Sequence, residues 1–222
     1  MSSVSAIVAR LRQVDCCAVS DALDSLGLKG VVSGLPQRSG NGRIAGQVIT
    51  VKLGKGPAKG GPPRHLCTTA IEAGGPDNVI VVEQRTGIEA GSWGGLLSTG
   101  AKAQGIAGVI VDGPARDIDQ SMEMSFPVFA RSLTALTARG RIVEEATNVP
   151  VQVGDIAVSP LDFVVADRSA VIFISAANIS CVLDAAERIV KREDEMAKHI
   201  LAGDPIGSVM GGNYEQMLKS RV

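Results

Sequence analysis

Apolar residues recur at helical spacing in two long stretches of the chain. The first runs from Ser5 to Leu26, with Ser20 and Asp21 placed to cap a second segment inside it. The second runs from Asn178 to Leu201 and stops before Gly203. The pattern therefore predicts a helical region near each end of the chain.

Short apolar runs between these stretches predict strands. They are Ile44 to Leu53, Val79 to Glu83, Ile106 to Val111, Pro127 to Ala130, Val149 to Ile156, Leu161 to Asp167 and Ala170 to Ile174. Two more helices are predicted, from Arg64 to Ala73 and from Gly95 to Gly105, the second lying between two strands as in a parallel βαβ unit. The last three runs, separated by turns, predict antiparallel pairing. The fold class is α/β, with a mixed sheet, βαβ units and flanking helices.

Small and polar residues concentrate between Gly91 and Gln120. A helix begins there, and its first amides have no intrahelical partner, so they form a candidate site for a carboxylate or phosphate. These amides belong to Gly94, Gly95, Leu96 and Leu97. The next strand is expected to end in a turn at Asp112-Gly113-Pro114, which delivers Arg116 and Asp117 to the same edge of the sheet.

The residue types suggest a chemistry for this edge. Arginine binds a carboxylate or a keto oxygen, and aspartate binds a hard divalent cation. A plainer interpretation is that Gly94-Gly95 only starts a helix and that Arg116-Asp117 is a surface pair. Spacing alone leaves both interpretations open.

Composition narrows the class of partner. The 222 residues carry a formal net charge of −1 and only 3% aromatic residues, which argues against a nucleic-acid partner. No basic-then-apolar signal and no long apolar span is present, so we expect no membrane partner. The four cysteines, Cys16, Cys17, Cys67 and Cys181, lack metal-binding spacing. We expect a cytoplasmic protein with reduced thiols, most of them buried.

Other motifs are weaker. Gly40 to Ala45 matches the GxGxxA sequence of a dinucleotide-binding fingerprint. That motif follows a strand and begins a helix, whereas here no strand precedes it and a strand follows. Gly54 to Pro63 lacks the full phosphate-loop order and is expected to be a surface loop near the site. His65, one of two histidines, is by itself more often structural than a ligand. The glycine loop is the glycine-rich opening of the Gly91 to Gln120 stretch, from Gly91 to Gly95. Three charged residues before it either face the site or are solvated: Glu83, Arg85 and Glu89.

The central stretch resembles the signature of the RraA-like family, which includes the class II 4-hydroxy-4-methyl-2-oxoglutarate aldolases. The family pattern is a glycine, twenty residues, Arg-Asp, two residues and an acid, and Gly95 with Arg116-Asp117 fits it. Gln120 stands where the family has the acid, with Asp119 one place earlier. The resemblance extends from about Val19 to Gly203.

The resemblance implies a swivelling β/β/α fold and a homotrimer or a dimer of trimers. By this resemblance, residues 1–222 form a single domain with a core at about 19–203 and a C-terminal tail at 204–222. It implies a pyruvate aldolase that needs Mg²⁺ or Mn²⁺, cleaves 4-hydroxy-2-oxo acids and decarboxylates oxaloacetate. Two alternatives stay open: a non-catalytic regulator that binds ribonuclease E, and another enolate-forming lyase or decarboxylase.

The resemblance also implies roles for individual residues. Asp117 is the metal ligand, and Arg116 binds the keto oxygen. The amides that begin the central helix bind the substrate carboxylate. The general base is an acid from the last helix of a neighbouring subunit, for which Glu193 and Glu195 are the candidates.

Overall fold

The computed structural model describes residues 3–57 and 64–211. The helices are α1 Val4–Leu11, α2 Cys16–Ser25, α3 Thr68–Ala73, α4 Gly95–Ala103, α5 Ile118–Glu123, α6 Ile179–Leu201 and α7 Ile206–Val209. The strands are β1 Val31–Val32, β2 Gln37–Ser39, β3 Ile44–Lys55, β4 Asn78–Glu83, β5 Gly108–Ala115, β6 Val128–Leu133, β7 Ile142–Thr147, β8 Val151–Val153, β9 Ile156–Val158, β10 Phe163–Ala166 and β11 Val171–Ile174. Most of the predicted surface loop from Gly54 to Pro63 and the end of the predicted tail lie outside the described residues.

One mixed sheet organises the fold, as predicted. Its strand order is β1-β11-β10-β3-β4-β5-β6-β2, and β7 also pairs with β3. Strands β3 to β6 pair in parallel, whereas β10 and β11 pair antiparallel with their neighbours. Helix α4 connects β4 to β5, which confirms the predicted βαβ unit.

The faces of this sheet are covered differently. Alternate residues of β3 point to opposite faces. On one face, α1, α2 and α6 pack beside β10 and β11 in one apolar cluster, and α3 and α4 pack on β3 to β6 in another. The other face packs on the hairpin of β8 and β9. The result is a hairpin layer, a sheet layer and a helix layer.

The second segment predicted inside the N-terminal helical stretch is present, but the predicted position of its cap is wrong. The stretch forms two helices, α1 and α2, because the carboxylate of Asp15 accepts a hydrogen bond from the amide of Ala18 and starts α2 there. Ser20 and Asp21, the predicted caps, lie inside α2. The helix predicted from Arg64 is also shorter, since Cys67 adopts a left-handed conformation (φ +67°) immediately before α3.

The predicted turn at Asp112-Gly113-Pro114 is wrong, because β5 continues through Ala115. Asp112 is 4% exposed. Its carboxylate pairs with Arg131 and accepts a hydrogen bond from the amide of Gly154 at 2.8 Å. These partners satisfy a buried charge that the sequence pattern alone places in a turn. Strand β7 and helix α5 were also not predicted.

Two further expectations can be compared with the described residues. Cys16 and Cys67 are buried but Cys17 and Cys181 are exposed, so the prediction that most thiols are buried is wrong. Across residues 3–57 and 64–211, no helix is both long enough and apolar enough to cross a membrane.

Candidate active site

The predicted site residues line one cleft of about 240 Å³. Its lining includes Gly94, Gly95, Leu96, Leu97, Arg116 and Asp117. The cleft lies where β5 ends and α4 begins. The two halves of the predicted site, which are far apart in the sequence, are therefore neighbours in the structure.

Backbone pairing brings these halves together. Trp93 forms a parallel bridge with Ala115, so the glycine loop runs alongside the end of β5. The amide of Arg116 donates to the carbonyl of Trp93 at 2.8 Å, and the amide of Ser92 donates to the carbonyl of Pro114 at 2.9 Å. The continuation of β5 beyond the expected turn is what provides this pairing.

Asp117 is the centre of the polar contacts in the cleft. Its carboxylate oxygens lie 3.1 and 3.2 Å from Nε of Arg116, and Oδ2 accepts from the amide of Gly95 at 3.4 Å. Asp117 has a left-handed backbone (φ +52°) and makes no side-chain cap to α5. Aspartate tolerates this conformation better than most residues. The carboxylate is thus directed to Arg116 and the start of α4.

Three glycines leave room for side chains of the same chain. A Cβ atom at Gly91 would lie 2.7 Å from Cγ and Cδ of Arg116, and one at Gly94 would lie 2.9 Å from Oδ2 of Asp117. A Cβ atom at Gly95 would overlap the amide oxygen of Gln120. The glycine loop therefore accommodates its own Arg-Asp pair, in addition to leaving space for a ligand.

We expect Gly91→Ala to reduce the turnover number of any reaction catalysed in this cleft by ~10- to 100-fold. The added methyl group displaces the Arg116 side chain, and small displacements of groups that position a substrate slow the reaction strongly. Gly100→Ala in α4 is the matched control, since its Cβ atom would make an ordinary 3.7 Å contact with Ile71. That control should stabilise the helix by about 0.5–1 kcal/mol. Steady-state turnover and thermal unfolding of both variants test this. Equal activities would show that Gly91 does not position Arg116.

Gln120 occupies the position of the family acid against the start of α4. Its side chain contacts Gly95, whereas Asp119 is exposed and forms no hydrogen bond or ion pair with another described residue. Asp119 therefore does not occupy the place beside Gly95 that Gln120 takes. Gln120 places a neutral carboxamide against Gly95, so this position carries no negative charge where the family has an acid.

A buried network of side-chain hydrogen bonds lies beneath the cleft. Nε1 of Trp93 donates to Oγ of Ser98 at 2.9 Å, and Oγ of Ser98 lies 2.8 Å from Oγ of Ser121. All three residues are at most 1% exposed. This network joins the glycine loop, α4 and α5, and so fixes the start of α4 relative to Asp117. The only sequence signal for it was a single tryptophan whose N–H needs a partner when buried.

Several residues that line the cleft were not predicted. Thr137, Ala138 and Arg139 come from the segment between β6 and β7, for which the sequence analysis predicts no element and no role. His65 and Leu66 also line the cleft, and Nδ1 of His65 lies 3.0 Å from the carbonyl oxygen of Leu66.

The three charged residues before the glycine loop bind other segments. Glu83 accepts from the amide of Gln152 at 2.6 Å, and Arg85 donates to the carbonyl of Gly154 at 2.5 Å. Glu89 accepts from the hydroxyl of Thr134 at 2.9 Å. The lining of the cleft includes none of the three among the described residues.

The two candidate bases lie on α6, away from the cleft of their own chain. Partial burial and the negative charges of Asp15 and Asp21 raise the pKa of Glu193. A hydrogen bond from Lys198 at 2.8 Å lowers the pKa of Glu195, which is exposed. Glu193 therefore lies near acidic side chains of α2, whereas Glu195 pairs with Lys198 on its own helix.

The donor set of the cleft fits a cation held by one carboxylate. Within residues 3–57 and 64–211, no group of three or more His, Cys, Asp or Glu side chains is arranged to hold a metal ion. Asp117 is the one acidic residue among the described residues that line the cleft. Mg²⁺ commonly binds through one or two carboxylates together with water and substrate oxygens, and Asp117 fits that mode.

Known proteins resemble this chain along most of its length. The model of the RraA-like family, described as Aldolase/RraA, matches residues 16–173. A protein of Halalkalibacterium halodurans named putative 4-hydroxy-4-methyl-2-oxoglutarate aldolase is 27% identical over 202 residues, covering 91% of each chain.

Solved structures share the fold. An uncharacterised protein from Pseudomonas syringae pv. tomato has a TM-score of 0.83 at 25% identity, covering 95% of this chain and 100% of that one. RraAS2 of Streptomyces coelicolor, described as an unusual member of the RNase ES inhibitor RraA protein family, has a TM-score of 0.76 at 23% identity. That match covers 87% of this chain and 97% of RraAS2, and it shows the fold alone.

Proposed function

Because the chain belongs to the RraA-like family, we propose that it is a divalent-metal-dependent aldolase. It would cleave 4-hydroxy-2-oxo acids, such as 4-hydroxy-4-methyl-2-oxoglutarate, to pyruvate and a second oxo acid. The observation that carries the proposal is the meeting of Arg116, Asp117 and the start of α4 in one cleft. The name of the Halalkalibacterium halodurans relative supports the same reaction.

The reaction needs negative charge to be stabilised on one oxygen. A base removes the proton of the C4 hydroxyl, the C3–C4 bond breaks, and C4 becomes the carbonyl carbon of the released oxo acid. The electron pair of that bond forms the enolate of pyruvate, with its charge on the C2 oxygen, and a proton then adds to C3. Catalysis therefore depends on groups that bind the C2 oxygen more strongly as the enolate forms.

Residues of this chain can supply those groups. The amides of Leu96 and Leu97 in the first turn of α4 would bind the substrate carboxylate, since they lack intrahelical partners and carry the positive end of the helix dipole, whereas the amide of Gly95 donates to Asp117. Nε of Arg116 faces Asp117, and the two terminal nitrogens of its guanidinium donate to no other residue in the described part of the chain. Those nitrogens are available to bind the keto oxygen.

Asp117 would hold Mg²⁺ or Mn²⁺ beside the same oxygen. A bound divalent cation supplies Lewis-acid stabilisation of the charge that develops there. The Arg116 contact orients the Asp117 carboxylate, and the Gly95 amide keeps it at the start of α4. The same arrangement serves the decarboxylation of oxaloacetate, because that reaction also passes through pyruvate enolate.

The proposal includes a homotrimer or a dimer of trimers. The far end of α6 and α7 expose apolar side chains, with Leu201 88% and Ile206 61% exposed. A neighbouring subunit that covers them would also receive Glu195, the better directed of the two candidate bases. Light scattering at micromolar concentration tests this, and a monomer would contradict it.

Removal of the metal is the direct test of the proposed reaction. We expect EDTA to abolish pyruvate release, and Mg²⁺ or Mn²⁺ to restore it, because one carboxylate and water ligands make an exchangeable site. The measurement is a lactate-dehydrogenase-coupled assay over 4-hydroxy-2-oxo acids and oxaloacetate. Full activity in EDTA, or trapping of a substrate by borohydride, would indicate a lysine mechanism instead. The panel also reveals a related decarboxylase or lyase.

A second candidate function is regulation of a ribonuclease by protein binding. The likeness to RraAS2, described as belonging to an RNase ES inhibitor family, and the loss of the family acid at Gln120 favour it. A pull-down against ribonuclease E, run beside the aldolase assay, separates the two functions. Binding without pyruvate release from any substrate would favour the regulator.

A further inference from the structure

A second pocket, of about 490 Å³, lies at the carboxyl ends of β4, β5 and β6, beside the turn of the β8–β9 hairpin. Its lining includes charged and amide side chains together with a glycine of that turn: Gln84, Arg85, Glu89, Asp112, Arg131 and Gly154. The described residues that line the candidate active site do not line this pocket. The carboxyl ends of parallel strands are where α/β sheets commonly bind ligands. The second pocket is therefore a candidate site for a ligand of its own.

Two arginines meet at Gly154 in this pocket. Nη1 of Arg85 donates to the carbonyl oxygen of Gly154 at 2.5 Å. Nη2 of Arg131 lies 3.3 Å from the position that a Cβ atom of Gly154 would take. The buried carboxylate of Asp112 pairs with Arg131, whereas Arg85 forms no ion pair within residues 3–57 and 64–211. One positive charge beside Gly154 is therefore available to a carboxylate, which guanidinium groups bind with charge-assisted hydrogen bonds.

Two side-chain acceptors of the same pocket have unused capacity. Gln84 is 5% exposed, and its Nε2 donates to the carbonyl of Ile88 at 2.8 Å, but its Oε1 accepts no hydrogen bond from the part of the chain that the structure describes. Polar atoms of buried side chains normally have a partner, so this oxygen is placed for a donor that enters the pocket. Glu89 accepts from the hydroxyl of Thr134 at 2.9 Å and forms no ion pair with another described residue.

The charges of this lining balance in number but are held by different segments. Arg85 and Arg131 lie at the hairpin turn, where Asp112 offsets one of them. Glu89 is held by Thr134, which follows β6. An anion alone would leave Glu89 without a counter-charge, and a cation alone would leave the excess guanidinium charge without one. A molecule that carries both a carboxylate and an ammonium group satisfies both.

We propose that the second pocket binds a free α-amino acid. Its carboxylate would lie against Arg85 and Arg131, and its ammonium group would donate to Glu89 and to Oε1 of Gln84. The side chain of Ile88 also lines the pocket and provides an apolar wall, which suits a small apolar amino-acid side chain. This binding site is independent of the aldolase reaction proposed for the other cleft.

Isothermal titration calorimetry of the full chain tests the proposal with three probes. They are L-valine, 3-methylbutanoate, which lacks the ammonium group of valine, and 2-methylpropylamine, which lacks its carboxylate. We expect saturable binding of L-valine at millimolar concentration. Each of the other two probes should bind about 10- to 100-fold more weakly, the usual loss for one charge-assisted hydrogen bond.

Variants locate the two charged ends of the ligand. Arg85→Gln should weaken the binding of L-valine and of 3-methylbutanoate alike, by about 10-fold or more, whereas Glu89→Gln should weaken that of L-valine alone. Both residues are exposed, so both variants should fold, which thermal unfolding checks. Arg188→Gln in α6 and Glu72→Gln in α3 replace exposed residues outside the pocket and are the matched controls. They should bind L-valine like the parent.

Three results would overturn the inference. They are no saturable binding of L-valine, equal affinity for L-valine and 3-methylbutanoate, and parental affinity for L-valine in either pocket variant. The second of these would indicate a site for simple anions. None of the three bears on the aldolase function, which the pyruvate assay tests separately.

Discussion

Asp117→Asn is expected to abolish metal-dependent pyruvate release while leaving the protein folded. Asparagine keeps the size of the side chain and accepts the left-handed backbone at this position, so only the charge is lost. Asp117→Ala should lose the same activity, with an added backbone strain of about 1–2 kcal/mol. Agreement between the two variants would assign the loss to the carboxylate and not to the strain.

The measurement is pyruvate release against metal concentration, together with Mn²⁺ binding by electron paramagnetic resonance. Asp119→Ala is the matched control, because Asp119 is an exposed acid two residues away. It should bind metal and turn over like the parent. Near-parental rates for Asp117→Asn on every substrate that the parent cleaves would remove Asp117 from the active site.

Arg116→Ala is expected to lower turnover by about 10²–10³-fold while metal binding is largely kept. The loss would arise because the terminal nitrogens of Arg116 bond the keto oxygen more strongly as the enolate forms. Arg116→Lys should recover little, since an ammonium group cannot reproduce the planar fork of the guanidinium. Single-turnover kinetics and Mn²⁺ titration would separate the two effects.

Arg168→Ala is the control for this substitution, because Arg168 is exposed in the turn between β10 and β11. Circular dichroism should show parental folding for both variants, since Arg116 lies outside the apolar clusters. Parental turnover in Arg116→Ala would show that Arg116 does not bind the keto oxygen in the reaction.

Hydrophobic pattern was enough to predict the main elements of the fold. The long strand β3, the βαβ unit through α4 and the long helix α6 follow from runs and periodicities that the sequence shows directly. The errors arose where a tertiary contact overrides local preference. Asp112 lies in a strand because Arg131 and Gly154 bind its carboxylate, and both partners are distant in the sequence.

The same distinction applies to the candidate site. Arg116, Asp117 and the glycines that begin α4 could be found from spacing and family resemblance. Arg139 could not, because it belongs to an irregular segment that reaches the cleft only through backbone bonds to Gly91 and Ala115. A loop residue of this kind acquires its position from the whole fold.

The tryptophan beneath the cleft gives the protein a built-in optical reporter. Trp93 is the sole tryptophan of the chain, and its ring is stacked on Phe126 with the centroids 6.3 Å apart. Its indole N–H bonds Ser98 in α4, and its carbonyl oxygen accepts from the amide of Arg116. Tryptophan emission therefore comes from one residue that contacts both halves of the cleft. Its wavelength and intensity follow ligand occupancy and local unfolding of that region without an added label.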